Sequence, residues 1–247
     1  MTPPTPTDDA LIKPRVFRPF FRKVGRRAFL LFQPHFVQKL AARGGYDASK
    51  TRLLGSTPYI PGRGADDFGI AGPVVGAPAA ALAAEFLILL GCREIVAFGI
   101  CGSIHGRVRI GSSAIPLEAV SEEGTSGLYL PGRETYAADA DLSARVRTAA
   151  QAEGLAPADA RTWTTDAFFR ETPEKVEHYR AWGCQVVEME FSALCAVAEY
   201  RGAKVAGLMI VSDELFSGKW KPGLLSPSYR LATRRGIGAL LRMREGD

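Results

Sequence analysis

Short apolar runs alternate with stretches of helical character along this chain, an alternation that predicts layered α/β architecture. Ala28-Phe-Leu-Leu-Phe32 is apolar throughout and predicts a buried strand; Phe36 to Arg43 predicts a helix stopped by Gly44-Gly45. Ile70 to Val75 predicts a strand entering a loop, and Ala79 to Leu90, rich in Ala and Leu, a helix closed by Gly91. Glu94 to Phe98 predicts a core strand that runs straight into the turn Gly99-Ile-Cys-Gly-Ser103, and Ser112 to Leu117 predicts a further strand. Next come a helix over Ala140 to Gly154, a short strand over Arg161 to Thr165, and a helix over Pro173 to Trp182 with Thr172 as its cap. Val186 to Met189 leads into a helix ending near Tyr200, Val205 to Val211 predicts a buried strand, and Ser228 to Arg244 a basic amphipathic helix. Residues 1 to 14 hold little to bury and are expected to be a disordered tail, which leaves 15 to 247 as a single domain without repeats.

Composition narrows the partners. Of the 247 residues 47% are hydrophobic and 23% charged, an ordinary globular balance able to bury a core. The net charge of +5 is spread over two clusters, Arg15 to Arg27 and Arg230 to Arg244, with no single long run. Solvated helix faces and contacts to an anionic ligand account for them better than nucleic-acid binding, so no nucleic-acid partner is expected. The four cysteines form no Cys-x-x-Cys pair and no ligand spacing with the three histidines, which predicts free buried thiols, no metal site and a reducing compartment. MTPPTPTDDA lacks a signal-peptide pattern, and no apolar run approaches the ~20 residues that cross a bilayer. The expectation is a cytoplasmic protein with no membrane partner.

Ligands of open α/β sheets bind beyond the carboxyl ends of the strands, and three such ends are unusual here. Gly99-Ile-Cys-Gly-Ser103 lets the backbone approach a ligand closely around Cys101 and Gly102, or else is only a tight turn; it is neither a P-loop nor a GxGxxG fingerprint. In Val187-Glu-Met-Glu-Phe-Ser-Ala, Glu188 and Glu190 flank Met189 between an apolar strand and an Ala-rich helix, where charge is costly unless paired or liganded. Attraction to the helix N-terminus accounts for Glu188 equally well. Glu190 is harder to explain that way, because Ser192 and Ala193 behind it imply close packing. Ser212-Asp213-Glu214 ends a buried strand and reads evenly as a helix cap or a catalytic acid.

Val-Glu-Met-Glu followed about twenty residues later by Val-Ser-Asp resembles the nucleoside phosphorylase superfamily, which includes purine nucleoside phosphorylases, uridine phosphorylases and nucleosidases. The resemblance covers most of the chain: Ile70 to Pro78 is similar to the family's glycine-rich loop, Phe98 to Gly102 to its strand-to-glycine turn, and Asp166-Ala-Phe-Phe169 to its base-stacking segment. It implies a three-layer α/β/α sandwich around a twisted mixed sheet, assembled as dimers or as hexamers of dimers, with a nucleoside as substrate. By the same resemblance Glu190 binds the ribose hydroxyls, Met189 packs on the sugar, Phe168 stacks on the base and Asp213 protonates a purine N7. Glu188, Cys101, Gly102 and Ser212 complete the implied substrate site, which needs no cofactor beyond inorganic phosphate as a possible co-substrate.

Two departures bear on activity. Arg170-Glu-Thr-Pro-Glu174 lacks the Gln-x-Arg pair with which uridine phosphorylases read uracil, which favours purine. The family's phosphate ligands are replaced: the Gly-Asp-Pro-x-Arg segment aligns with Phe32-Gln-Pro-His-Phe36, the next arginine with Ala97, and the Ser or Thr of the turn with Ile100. Arg22, Arg26, Arg107, Arg109 and Arg133 are the other cations available to phosphate, and His35 is the stand-in base for a hydrolase. Lys219 or Lys221 approaches the site if the loop after Asp213 closes as a lid; otherwise that loop is exposed and gripped by Trp220. Ser121 to Ser126 is a further candidate lining segment. The expected activity is phosphorolysis of a purine nucleoside in nucleotide salvage, with hydrolysis, or binding without turnover, as the alternatives.

Overall fold

The computed structural model describes residues 10–245. In chain order its elements are β1 (Arg27–Leu31), α1 (Pro34–Arg43), β2 (Arg52–Leu54), β3 (Thr57–Ile60), β4 (Phe68–Ala71), α2 (Ala77–Leu89), β5 (Glu94–Ser103), β6 (Ser113–Ser121) and α3 (Ser126–Tyr129). They continue with β7 (Thr135–Ala137), α4 (Ala140–Ala152), β8 (Ala158–Thr164), α5 (Pro173–Ala181), β9 (Val186–Glu188), α6 (Phe191–Arg201), β10 (Lys204–Glu214), β11 (Lys221–Pro222) and α7 (Pro227–Glu245). The tail expected over residues 1–14 falls mostly on residues 1–9, outside those described; Pro14–Phe20 forms a 3-10 helix.

The strands form one mixed sheet in the order β11-β10-β6-β8-β9-β5-β1-β4-β3-β2, with β7 on β6 and a further pairing of β10 with β5. That extra pairing closes β5, β10, β6, β8 and β9 into a ring, while β1, β4, β3 and β2 continue from β5 as an open wing. Helices cover both faces of the sheet, giving the three layers expected. On one side α2 and α6 bury Ala80, Ala84, Leu87, Leu194 and Val197 against β5 and β10. On the other, α1, α4 and α7 bury Phe36, Leu40, Leu142, Val146 and Leu240. All eight residues from Phe191 to Ala198 of α6 are buried, the state expected of a helix apolar on every side.

Both central strands are longer than their apolar cores. The turn expected at Gly99–Ser103 is strand instead: β5 continues through it, pairing with β10 from Glu94 to Ser103. The glycines fit because neighbours fill the space a side chain would need; a Cβ on Gly99 would lie 2.2 Å from Cδ2 of Phe32. β10 likewise runs past Val211 to Glu214. The strand expected over Ile70–Val75 is shorter, ending at Ala71 before a cis Gly72-Pro73 bond. Thr172 caps α5 as expected, its side chain accepting from Lys175 N–H. All four cysteines are buried and free. Among the described residues no helix is long and apolar enough to cross a membrane, and no cluster of three metal-ligating side chains occurs.

Candidate active site

Sheet register brings the three unusual strand ends together. Gly102 of β5 pairs on one side with Asp213 of β10 and on the other with Val187 of β9, so Asp213 and Glu188 emerge on either side of one glycine. The register of β10 slips between Val211 and Asp213, a bulge at Ser212 of the kind that re-aims a side chain at a strand end. A Cβ on Gly102 would lie 2.7 Å from Cδ1 of Leu215 and 3.2 Å from Oδ2 of Asp213, so only glycine leaves the acid its place.

These ends open on a cavity of about 170 Å³. Glu188, Met189, Glu190, Phe168, Cys101, Gly102, Ser212 and Asp213 all line it, joined by Phe32, Gln33, Val75, Ile100, Glu171 and Val187. Glu171 carries no motif that singles it out in the sequence. Its signal was position alone, three residues after Phe168, in the stretch that the resemblance places beside the base. Other candidates lie elsewhere. His35 is half-buried against Phe36, its ring 4.3 Å away, and does not reach the cavity. Arg109 pairs with Glu214 at 2.9 Å and Arg133 with Glu199 at 2.5 Å, while Arg22, Arg26 and Arg107 are exposed away from the cavity lining. Lys221 reaches Glu214 at 3.4 Å. The segment Ser121–Ser126 also stays out of the lining: its Glu123 is buried and accepts from the Ser192 hydroxyl at 2.9 Å, bracing the first turn of α6 from behind.

The two glutamates of the Val-Glu-Met-Glu motif do different work. Glu188 Oε2 accepts from the backbone N–H groups of Glu190 and Phe191, each at 2.7 Å, and its Oε1 from the Thr164 hydroxyl at 2.5 Å. It therefore satisfies the open N–H groups at the start of α6, the capping role its position allowed. Glu190 Oε1 accepts from Gly76 N–H at 2.7 Å, and Oε2 is left with only a 3.3 Å contact from Met189 N–H. Gly76, at φ +84, takes a left-handed conformation that a side chain would strain, and it delivers this N–H from just ahead of α2.

Burial pushes both glutamates above the usual carboxylate range; hydrogen bonds from Thr164 and the α6 backbone oppose this at Glu188, whereas the charge of Glu188 adds to it at Glu190. The extra donors favour the ionised form of Glu188, so Glu190 is the more readily protonated of the two. Asp213 Oδ1 accepts from the Ser212 hydroxyl at 2.6 Å and Oδ2 from the Trp220 indole N–H at 3.0 Å, yet burial raises its proton affinity. Glu171 is pushed up to about 8, first by burial and then by the charge of Asp213. The cavity thus carries four carboxyl groups, and none of the described residues lining it is Lys or Arg. Such a site can hold sugar hydroxyls, keep acids protonated at neutral pH and favour developing positive charge.

Glu188 also carries a stability expectation. Glu188→Ala leaves two backbone N–H groups and a hydroxyl without their buried acceptor, at about 1–3 kcal/mol each. Denaturant unfolding is expected to show a loss of about 3 kcal/mol or more; a loss under about 0.5 kcal/mol, the range of ordinary surface substitutions, would rule out the capping role.

Residues 26–227 match the family model described as the phosphorylase superfamily. Purine nucleoside phosphorylases of DeoD type from Bacillus cereus and Bacillus thuringiensis are 28% identical over 152 residues, 61% of this chain and 65% of theirs, so the match spans slightly less than two thirds of those relatives. Among solved structures, Toxoplasma gondii purine nucleoside phosphorylase superposes with a TM-score of 0.76 at 20% identity, covering 90% of this chain and 92% of that one. AMP nucleosidase from Bacteroides thetaiotaomicron gives 0.70 at 21% identity, covering 90% of each chain. Futalosine hydrolase of Helicobacter pylori gives 0.71 at 15%, covering 90% of this chain and 96% of its own. With the family model matching residues 26–227, this chain belongs to the phosphorylase superfamily.

Proposed function

We propose that the chain cleaves the N-glycosidic bond of a purine nucleoside with water as the acceptor. Glu190 binds the ribose hydroxyls, Met189 packs on the sugar and Phe168 stacks on the base. Asp213 and Glu171 face the base edge, while Cys101, Gly102 and Ser212 close the wall behind it and Glu188 holds Glu190 in place. The C1′–N9 bond breaks with its electron pair going to the base, which takes the Asp213 proton at N7. Positive charge growing on the sugar is stabilised by the ionised Glu188 and by the Asp213 carboxylate left when its proton goes to N7. The water oxygen then bonds to C1′ and releases its proton to solvent.

The observation that carries this reading is the convergence of Glu190 and Asp213, two buried acids of raised proton affinity, on one cavity. What favours water is the rest of the lining: Ile100 stands where the family carries a Ser or Thr, and Phe32 and Gln33 belong to the segment aligned with Gly-Asp-Pro-x-Arg. Phe36 and Ala97, at the two aligned arginine positions, are buried in the core outside the lining. A phosphate dianion placed against apolar groups and carboxylates, with no cation among the lining residues described, would lose its hydration without compensation. Two of the solved structures of this fold bear hydrolytic names, AMP nucleosidase and futalosine hydrolase. Phosphorolysis is the second reading, favoured by the phosphorylase names of the Bacillus relatives.

The test is a nucleoside panel incubated with the protein, with and without phosphate, assayed for free base and for pentose 1-phosphate. Release of purine base at the same rate without phosphate is expected. Release that requires phosphate and yields the sugar phosphate would replace water by phosphate in the mechanism, and a panel left intact would sink the reading altogether.

A further inference from the structure

The acid of the proposed reaction is held from outside the cavity. Trp220 is absent from the cavity lining and is 59% exposed, yet its indole N–H reaches inward to Oδ2 of Asp213 at 3.0 Å. The Ser212 hydroxyl meets Oδ1 at 2.6 Å from the opposite side, so each carboxyl oxygen has its own donor. The two donors differ in kind. The Ser212 oxygen also lies 3.2 Å from the Cys101 carbonyl and can turn its single hydrogen either way, whereas an indole N–H only donates.

The segment carrying Trp220 is itself fastened. β11 folds back on β10 with Pro222 opposite Asp213 and Lys221 opposite Glu214. Leu215 N–H donates to the Ser103 carbonyl at 2.8 Å, and the Gly218 turn, at φ +74, is closed by a 3.0 Å bond to the Leu215 carbonyl. Glu214 is gripped by Arg109 and by Ile110 N–H, and Arg109 lies over the Phe216 ring. An exposed tryptophan on a segment fastened in this way, with its one side-chain polar atom on a buried acid, is not explained by packing.

We propose that Trp220 is a positioning residue for the acid, fixing the plane of the Asp213 carboxyl through Oδ2 while Ser212 fixes Oδ1. The inference rests on Asp213 acting as the proton donor of the proposed function. Its consequences follow from the donor's one-way character. With the N–H in place, the proton of the neutral acid is confined to the lone pairs the indole leaves free, so the O–H keeps one direction. Loss of the N–H lets the carboxyl rotate and removes a bond that favours its ionised form. The other groups facing this carboxyl are Glu171 ahead of α5 and the Cys101 thiol on β5, while on the far side Glu214 is neutralised by Arg109 and Lys221. None of these donates to Oδ2.

Two variants and two readouts test this. Trp220→Phe keeps the ring and deletes the donor; Trp220→His keeps a ring N–H. For Trp220→Phe, kcat for base release is expected to fall about tenfold, the scale of one hydrogen bond to a charged group, with KM within about twofold. The alkaline limb of the rate profile is expected to move to higher pH, and Trp220→His to restore part of both. The second readout needs no turnover: carbon-13 NMR titration of the Asp213 carboxyl, assigned by its disappearance in Asp213→Asn. An upward displacement of that titration in Trp220→Phe supports the clamp. A titration that superimposes on wild type overturns it, whatever kcat does. If wild type releases base from no nucleoside, the proposed function falls while this titration still decides the role of Trp220.

Discussion

Asp213→Asn is expected to lower release of purine base by about 10²-fold or more, the contribution typical of a positioned general acid. The amide keeps the size of the side chain, and its oxygen can accept from Trp220 while its NH2 donates to the Ser212 oxygen, but it has no transferable proton. The same group sets the pH dependence. Asp213 acts in its protonated form, and burial raises its proton affinity. Base release should therefore persist above the pH at which an ordinary carboxyl is ionised, then fall as pH rises further and the proton is lost. The falling limb should disappear in Asp213→Asn. Turnover unchanged by the substitution, or a falling limb placed no higher than that of an ordinary carboxyl, would remove Asp213 from the chemistry.

The second large effect concerns the sugar. Glu190→Ala is expected to reduce kcat/KM for a ribonucleoside by about 10–100-fold, the scale of hydrogen bonds to a charged or strongly polarised group. A contact made to particular hydroxyls has a sharper signature than a rate. Wild type should discriminate strongly between a ribonucleoside and its 2′,3′-dideoxy analogue, and Glu190→Ala should treat the two nearly alike. Glu190→Gln, which keeps the shape and the contact to Gly76, is the control for folding. If the variant retained the wild-type preference for the hydroxyls, they would have to be bound by another group.

Much of this was legible along the chain because local composition and long-range structure agree there. The runs Ala28–Phe32, Glu94–Phe98 and Val205–Val211 are apolar enough to lie in a buried sheet, and they do; the helices over Phe36–Arg43 and Ala140–Gly154 differ from their expected bounds by a few residues only. What was missed depends on partners distant in sequence. β2 and β3, at Arg52–Leu54 and Thr57–Ile60, are short and include Pro58, and they are stabilised by pairing with each other and with β4 rather than by their own pattern. Glycines at 99 and 102 read locally as chain breaks, yet both stay in β5 because Phe32 and Leu215 occupy the space beside them. The closed ring of five strands has no local signature, since it follows from β10 pairing with both β5 and β6.

The site divides along the same line. Glu190 and Asp213 were legible because a charge at the end of an apolar strand is conspicuous. Glu188 was ambiguous for a sound reason: from sequence a carboxylate beside a helix start is equally a cap and a ligand, and only the bonds to Glu190 and Phe191 N–H decide for the cap. Glu171 was hidden, because an acid ahead of a helix beginning Thr-Pro looks like ordinary helix-start chemistry until Asp213 is brought opposite it. The loss of the family's phosphate ligands was visible as replacements at Phe36, Ala97 and Ile100, of which only Ile100 lines the cavity while Phe36 and Ala97 lie in the core. The fold adds Phe32 and Gln33 to that lining and keeps Arg22, Arg26, Arg107, Arg109 and Arg133 out of it.

The central claim is that one cavity binds a purine nucleoside with its sugar on Glu190 and its base on Asp213. A crystal structure with an unreactive purine nucleoside analogue bound tests it most directly. The ribose 2′- and 3′-hydroxyls should lie within hydrogen-bond reach of Glu190, about 2.6–3.2 Å, with N7 at similar reach of Asp213 and Phe168 against the base. A nucleoside bound away from Glu190 and Asp213, or turned so that its base meets neither Asp213 nor Phe168, would contradict the account.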